Sequence, residues 1–513
     1  MVANDLHLGF AMPTPFFRAS LEYGAERLTG FTLPGYPLMV TGSNGRIAWG
    51  LTNSAADWVD LIELEASTTV TSEVETIHTK GGRAVAFEIL HSTHGPVLRT
   101  SATGERFAER WVAHCEGAIN LGLRHIESAS TVSEALAFAP QCGMPAQNFH
   151  VADSLGNIGW TIAGRIPRRN EYSRLPLQES AAGEWRGWLS AEEYPTIFNP
   201  PSGKLWSANA RTVCGADLEK LGFGFYISGA RAHQIRDNLE TLDRASEEDL
   251  LRLQFDDRAV FLTRWRGLLL GVLDDTIASE PAGASKKRIA LRKCVENWSG
   301  RASAVCAGYR AVRAFRYAVK SIVFAPFIDR VRRDFPDFNY DEVGDQWEAP
   351  LWRIVSERSA HLLPQPFKNW KECLVAATDM VIKRLGEGDK VPEARCWGEI
   401  NKLQMRHPFS MVLPLVGRWL NMPPQPLNGD LNMPLSQIGI HGPVQRMVVA
   451  PGREANGIAH LAGGQAGNPL APYFGAGHQN WLSGKPAPFL PGTACYDLRL
   501  RPETLTEENN VTR

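Results

Sequence analysis

Several polar positions near the start of this 513-residue chain have types and spacing that could do chemistry. His7 lies between Leu6 and Leu8, and its imidazole can accept or donate a proton near neutral pH, although a lone histidine in apolar company is by default structural. Thr52 and Asn53 end an apolar run, at the point where backbone amides leave a sheet and can be aimed at a ligand. Asp57 and Asp60 follow as a carboxylate pair. No Gly-x-Ser-x-Gly elbow is present, and the eight cysteines are scattered without a Cys-x-x-Cys pair. Neither an elbow-type serine hydrolase, a disulfide scaffold nor a zinc site therefore organises the chain.

These positions need elements to hold them. Asn44-Gly45, between two apolar runs, predicts a hairpin with a two-residue type I′ turn. Asp153 to Asn157 predicts a second hairpin, and Thr131-to-Glu134 and Ser190-to-Glu193 have the form of capping boxes that start helices. Composition shifts near Ser246. From there to about residue 395, apolar residues recur at helical spacing, and capping signals stand at Ser246 and Asn369. After Trp397 the pattern returns to turns and short strands, Gln445–Val449 and Tyr496–Leu500 among them. Two β-rich ends around a helical insert predict an α+β fold in segments 1–239, 240–395 and 396–513, with both ends pairing in one layered core.

Composition excludes several functions. The 54 basic and 55 acidic residues nearly cancel, so there is no electrostatic footprint for nucleic acid. No apolar run approaches the roughly 20 residues that span a bilayer, and Met1 is not followed by a signal-like segment. Arg310, Arg313, Arg316 and Lys320 recur at helical spacing and read as a solvated helix face. Trp265, Trp298, Phe315, Trp347 and Trp352 read as core.

The order of several motifs resembles the β-chain of the penicillin acylase family, amide hydrolases of the N-terminal-nucleophile class. The motifs are the His7 strand, Thr32-Leu33-Pro34-Gly35, the Asn44–Leu51 hairpin, Asp57-x-x-Asp60, Ala163-Gly164-Arg165-Ile166-Pro167, Asn199-Pro200-Pro201-Ser202-Gly203, Ala208-Asn209, Gly229-Ala230-Arg231, Arg406-His407-Pro408 and Gly463 to Pro469. The resemblance implies a four-layer αββα sandwich and hydrolysis of a linear amide, such as a β-lactam side chain or an N-acyl-homoserine lactone. By the same resemblance His7 bonds the nucleophile's α-amine, Asn53 gives one oxyanion donor through its backbone, Asn209 gives the other through its side chain, and Arg231 orients Asn209. Leu8, Thr41 and Leu51 would line the acyl pocket. Asp57, Val59, Asp60, Ser173 and Asp217 would hold a structural Ca²⁺, with no organic cofactor. The family's nucleophilic serine stands one strand and turn upstream of His7, and the chain begins at Met1. The expectations are a companion α-chain segment, a periplasmic or extracytoplasmic location, and inactivity of residues 1–513 alone. The competing reading is a non-catalytic remnant or scaffold.

Overall fold

The structure, a computed structural model, describes residues 1–501 apart from 101–103, 170–174, 182–184, 186, 282–284 and 387–394. In chain order the strands are β1 (Val2–Asn4), β2 (His7–Gly9), β3 (Phe17–Tyr23), β4 (Glu26–Thr32), β5 (Thr41–Ser43), β6 (Ile47–Asn53), β7 (Val59–Leu64), β8 (Thr71–Ile77), β9 (Val85–Ser92), β10 (Gly95–Thr100) and β11 (Arg106–Trp111). There follow β12 (Gln147–Asp153), β13 (Ile158–Ala163), β14 (Leu177–Gln178), β15 (Ile197–Phe198), β16 (His441–Pro443), β17 (Gln445–Val449) and β18 (Ile458–Leu461).

The central strand, β6, shows why the layers form. Successive side chains of a strand alternate between faces. Ile47, Trp49 and Leu51 pack with Phe149 and Val151 of β12 against Ile126 of helix α1 (Arg124–Ser128) and Val132 and Ala135 of α2 (Val132–Phe138). Ala48, on the other face, joins Val2, Met447, Val449 and Leu461 between two sheets. One sheet has the order β15-β13-β12-β6-β5-β4-β3, and the other β1-β17-β18. Asn4 of β1 ties them together by donating from Nδ2 to the Leu51 carbonyl, 2.8 Å. Gly50 makes room for it, since a Cβ there would stand 2.9 Å from the Asn4 Cβ. Behind the smaller sheet, Leu250 and Leu251 cover Val448 and Ile458. The succession is helix, sheet, sheet, helix. β2 pairs with β16 at one end of this sandwich, and a further sheet, β14-β7-β11-β10-β9-β8, extends from its side.

The last of those layers begins a run of helices. After α3 (Ala216–Leu221) and α4 (Ala230–Glu240) come α5 (Glu247–Gln254), α6 (Thr263–Ser279), α7 (Lys286–Glu296), α8 (Ala307–Asp334), α9 (Glu348–Glu357) and α10 (Trp370–Leu385). Ser246 opens α5 with a complete capping box, and the Asn369 side chain accepts from Glu372 N–H to open α10. The box at Ser190 starts only a single 3₁₀ turn, residues 191–193. Trp265, Leu269, Val312, Phe315, Val319, Leu374 and Val381 share one core, with α8 running through its middle.

Two local expectations need correction. In the first hairpin Asn44 N–H bonds the Ile47 carbonyl, so the central pair is Gly45-Arg46 and only Gly45 (φ 87°) lies in the left-handed region. That is the φ pattern of a type II′ turn, with Gly at the first central position. Asn44 is displaced from the turn centre by its side chain. Its Oδ1 accepts from Arg46 and Ile47 N–H, and its Nδ2 donates to the Glu127 and Ala129 carbonyls of the helical layer. Tyr496–Leu500 is not a strand; Tyr496, Leu498 and Leu500 are each more than 80% exposed, so the alternating pattern has no surface to pack on.

Candidate active site

A cleft of about 950 Å³ opens where the end of the sandwich meets α8. Asn53, His7, Asn209 and Arg231 all line it, although the last two lie more than 150 residues beyond the first two.

Asn209 follows Ala208, which is buried with Ala210 and with Ala232 of α4. Its φ of 59° is in the left-handed region, which Asn enters at lower cost than other residues bearing a Cβ. Such backbone strain persists where the surroundings over-determine it. Here they do. Arg231 Nη2 donates to Asn209 Oδ1 (2.5 Å) and to the Ala208 carbonyl (3.0 Å), which fixes the amide with its NH₂ turned the other way. One hydrogen of that NH₂ goes to the Asn53 carbonyl, 2.9 Å. The second has no acceptor among the described residues and is free to serve a group in the cleft. Asn53 Oδ1 accepts from Ala55 N–H, so its side chain is tied into its own turn and its main chain is what meets Asn209.

Arg231 itself stands in the first turn of α4, where the helix dipole disfavours a cation, and it is only 9% exposed. Its two acceptors are neutral oxygens, and no carboxylate pairs with it among the described residues. Burial lowers its pKa, opposed by the charge of Asp5. A buried cation with neutral partners leaves positive potential in the cleft.

His7 faces this charge. Burial lowers its pKa, and Asp5, whose Oδ2 is 3.2 Å from Nε2, pulls it back up. His441, on the paired strand β16, meets the His7 ring edge to face at 6.4 Å, and burial lowers its pKa too. Beneath the donors runs a chain of hydrogen bonds from His150 Nε2 to Ser207 Oγ (3.0 Å) and from Ser207 Oγ to Thr52 Oγ1 (3.0 Å). Burial pushes His150 down to about 4, so the imidazole is neutral and the chain is uncharged. Thr52 and Ser207 precede Asn53 and Asn209 by one and two residues, so this chain sets the spacing of the two donor segments. Asp5, His441, His150 and Ser207 carried no signal in the sequence. The pairings β2–β16 and β6–β12 bring His441 and His150 here.

Comparison with known proteins shows the family and the fold. A family model described as penicillin amidase matches residues 1–493. The chain belongs to the penicillin amidase family. The acyl-homoserine lactone acylase QuiP of Pseudomonas aeruginosa is 24% identical over 94% of this chain and 64% of its own length. The penicillin acylase 2 proenzyme of Pseudomonas sp. (strain SE83) is 25% identical over 96% of this chain and 65% of its own. The chain thus spans just under two thirds of the length of these relatives. A solved structure of thermostable penicillin G acylase from Alcaligenes faecalis superposes with a TM-score of 0.68 at 17% identity, covering 98% of this chain and 97% of that one. The fold is that of an N-terminal-nucleophile hydrolase.

Not every residue that the family resemblance implied lies in the cleft. Leu8 lines it and is 41% exposed. Leu51 does not; as an odd-numbered residue of β6 it points away, into the packing against α1 and α2. Thr41 does not either. It is wholly buried between the sheets, and its hydroxyl donates to the Trp49 carbonyl at 2.7 Å. The opposite wall comes from α8, through Arg310, Arg313, Ala314, Tyr317 and Lys320, which share one face of the helix. This corrects the solvated-face reading of α8. Arg316 is 3% and Lys320 6% exposed, because the first half of α8 lies within the helical core and carboxylates from other segments meet its cations. Arg316 pairs with Glu348 (2.7 Å), Arg310 with Glu399 (2.7 Å), Lys320 with Asp341 (2.7 Å) and Arg313 with Asp430. Trp347, expected in the core, also borders the cleft.

The calcium expectation meets a geometry that does not fit the ion. Arg169 Nε lies 3.1 Å from Asp60 Oδ2, its Nη2 lies 3.7 Å from Asp57 Oδ1, and its Nη1 donates to the Asp57 carbonyl at 2.8 Å. Trp185 Nε1–H donates to the same Asp60 oxygen, 2.5 Å. Asp217 pairs instead with Lys220 (2.9 Å), Val59 is a ladder residue of β7 opposite Trp111, and Ser173 lies outside the described residues. Among the described residues no group of three or more His, Cys, Asp or Glu is arranged to hold a metal.

Proposed function

We propose that this chain is the donor-bearing part of an amide hydrolase that transfers an acyl group from a linear amide to a serine and then to water, releasing a carboxylic acid and an amine. The observation that carries the reading is the Asn209 amide, held by Arg231 with one N–H free beside the Asn53 main chain. A tetrahedral intermediate at the substrate carbonyl places negative charge on its oxygen, and preorganised donors aimed there stabilise it without reorganising. The attacking hydroxyl belongs to a serine activated by its own free α-amine, on a companion segment that docks beside His7, and its proton passes through that amine to the leaving nitrogen. His7 and Asp5 hold the amine in place. The resemblance adds a periplasmic or extracytoplasmic setting.

Of the amides named for the relatives, the lining of the cleft favours one that carries a carboxylate, as penicillins do, over the neutral acyl-homoserine lactones. Arg310, Arg313 and Lys320 of the lining are met by Glu399, Asp430 and Asp341, so the positive charge left over among the described residues is that of Arg231 and Arg384, with Asp5 beside His7. Acid release from a penicillin and from an acyl-homoserine lactone, measured on the chain together with its companion segment, tests both levels. Faster turnover of the penicillin is expected. Turnover of neither amide would overturn the hydrolase reading, and faster turnover of the lactone only the choice of substrate.

A further inference from the structure

We propose that Arg169 serves in this protein as a built-in structural cation, in the place where a divalent metal ion would bind a carboxylate pair, so that the fold here is independent of calcium. A guanidinium already occupies the space between the two carboxylates. Calcium takes six to eight oxygen ligands at about 2.3–2.6 Å. Asp60 Oδ2 instead accepts from Arg169 Nε and from the Trp185 indole N–H, the Asp57 carbonyl accepts from Nη1, and the Asp57 carboxylate, hydrogen-bonded by the Phe223 and Val59 backbone, stands at ion-pair distance from Nη2, 3.7 Å. The Arg169 side chain is 2% exposed, and the Trp185 ring lies 5.2 Å from its guanidinium carbon, so the cation is sealed under an aromatic face. A metal ion and this guanidinium would compete for the same oxygens at like charge.

The place of this cluster in the fold explains what the cation does. It fixes the turn that begins two residues after Asn53. Ala55 there has a left-handed φ of 51°, and Asp57 N–H bonds the Leu221 carbonyl. Gly224 approaches so closely that a Cβ would come within 2.1 Å of the Ala55 carbonyl oxygen. One guanidinium therefore assembles the β6–β7 turn and the segment that reaches Arg169. Its donors are planar and fixed in direction, which a lysine ammonium does not reproduce. Being covalently attached, it cannot be removed by a chelator.

The experiment uses the full chain and does not depend on which reaction it catalyses. Metal content after dialysis and the thermal midpoint in EGTA, in buffer alone and in excess CaCl₂ are the readouts. Wild type should hold no stoichiometric calcium and should keep the same midpoint in all three conditions. Arg169→Met should lower the midpoint by several degrees, and Arg169→Lys by less. Calcium retained at one ion per chain, a midpoint that falls in EGTA and returns with calcium, or an Arg169→Met midpoint equal to wild type would each overturn the proposal. Should Arg169→Met not accumulate, the wild-type chelation result decides alone.

Discussion

Two arginines, 62 positions apart, are buried to a similar degree and do opposite things. Arg169 is surrounded by carboxylates and closed off by Trp185; its charge is spent inside the protein. Arg231 has only neutral acceptors and borders an open cleft; its charge is left for whatever enters. A buried ion pair need not add net stability, but removing one partner strands the other. A buried cation with no such partner reduces stability, and a fold keeps it where a ligand or transition state supplies the missing anion. The contrast separates a structural node from a chemical one more clearly than conservation of residue type would.

The contrast can be broken in several ways. The largest effect should come from Arg169→Met, which strands Asp57 and Asp60. A loss of about 3–5 kcal/mol in denaturant unfolding is expected, with kcat of the folded fraction unchanged. A kcat that falls while stability holds would show that the two nodes are not distinct. Next comes Asn209→Gly, which removes the amide but keeps a residue at ease at φ 59°. Acid release should slow by about 10²–10³ with little change in stability, since one oxyanion donor is worth that much.

Acid is a gentler probe, because it reaches buried histidines outside the Arg169 node. His150 and His460 are both held by burial at about 4, against 6.5 when unfolded. Between those values the unfolded chain binds more protons, so stability is fully present above about pH 6.5 and is lost as pH falls toward 4. Each histidine should contribute about 1–3 kcal/mol to that loss. Stability that is flat from pH 7 to 4.5 would contradict the buried neutral imidazoles. The smallest effect should be that of Leu8→Ala, under about 1 kcal/mol in stability for so exposed a residue but visible in KM for long acyl chains.

What the sequence disclosed follows the range of the interaction. Turn and cap residues act over three or four positions, so the hairpins at Gly45 and Gly156 and the helix starts at Ser246 and Asn369 were readable, as was the alternation of strands and helices. Motif order went further and put Asn209 with Arg231, whose partnership spans 22 residues. It failed where a neighbour comes from elsewhere in the chain. The three- and four-residue spacing of Arg310, Arg313, Arg316 and Lys320 gives a helix face, but it cannot say that Glu348, Asp341 and Asp430 lie against that face. In the same way Asp57 and Asp60 gave no hint that Arg169, more than a hundred positions later, would arrive between them. Leu51 was misplaced by parity alone, because a strand residue one position off its expected face points into a different layer.

The pairing of β1 with β17 has a consequence for how the protein is made. Val2 registers with Val449, so the smaller sheet cannot close until the roughly 450 residues that separate the two strands have been made. At roughly 5–20 residues per second, that is a wait of about 20–90 s. For that time the inner face of the larger sheet, with Phe31, Ala48 and Ala152, has no lid of its own. The helical core, whose contacts lie within residues 259 to 433, can be completed first. Slowing translation after residue 400 should therefore increase aggregation rather than reduce it.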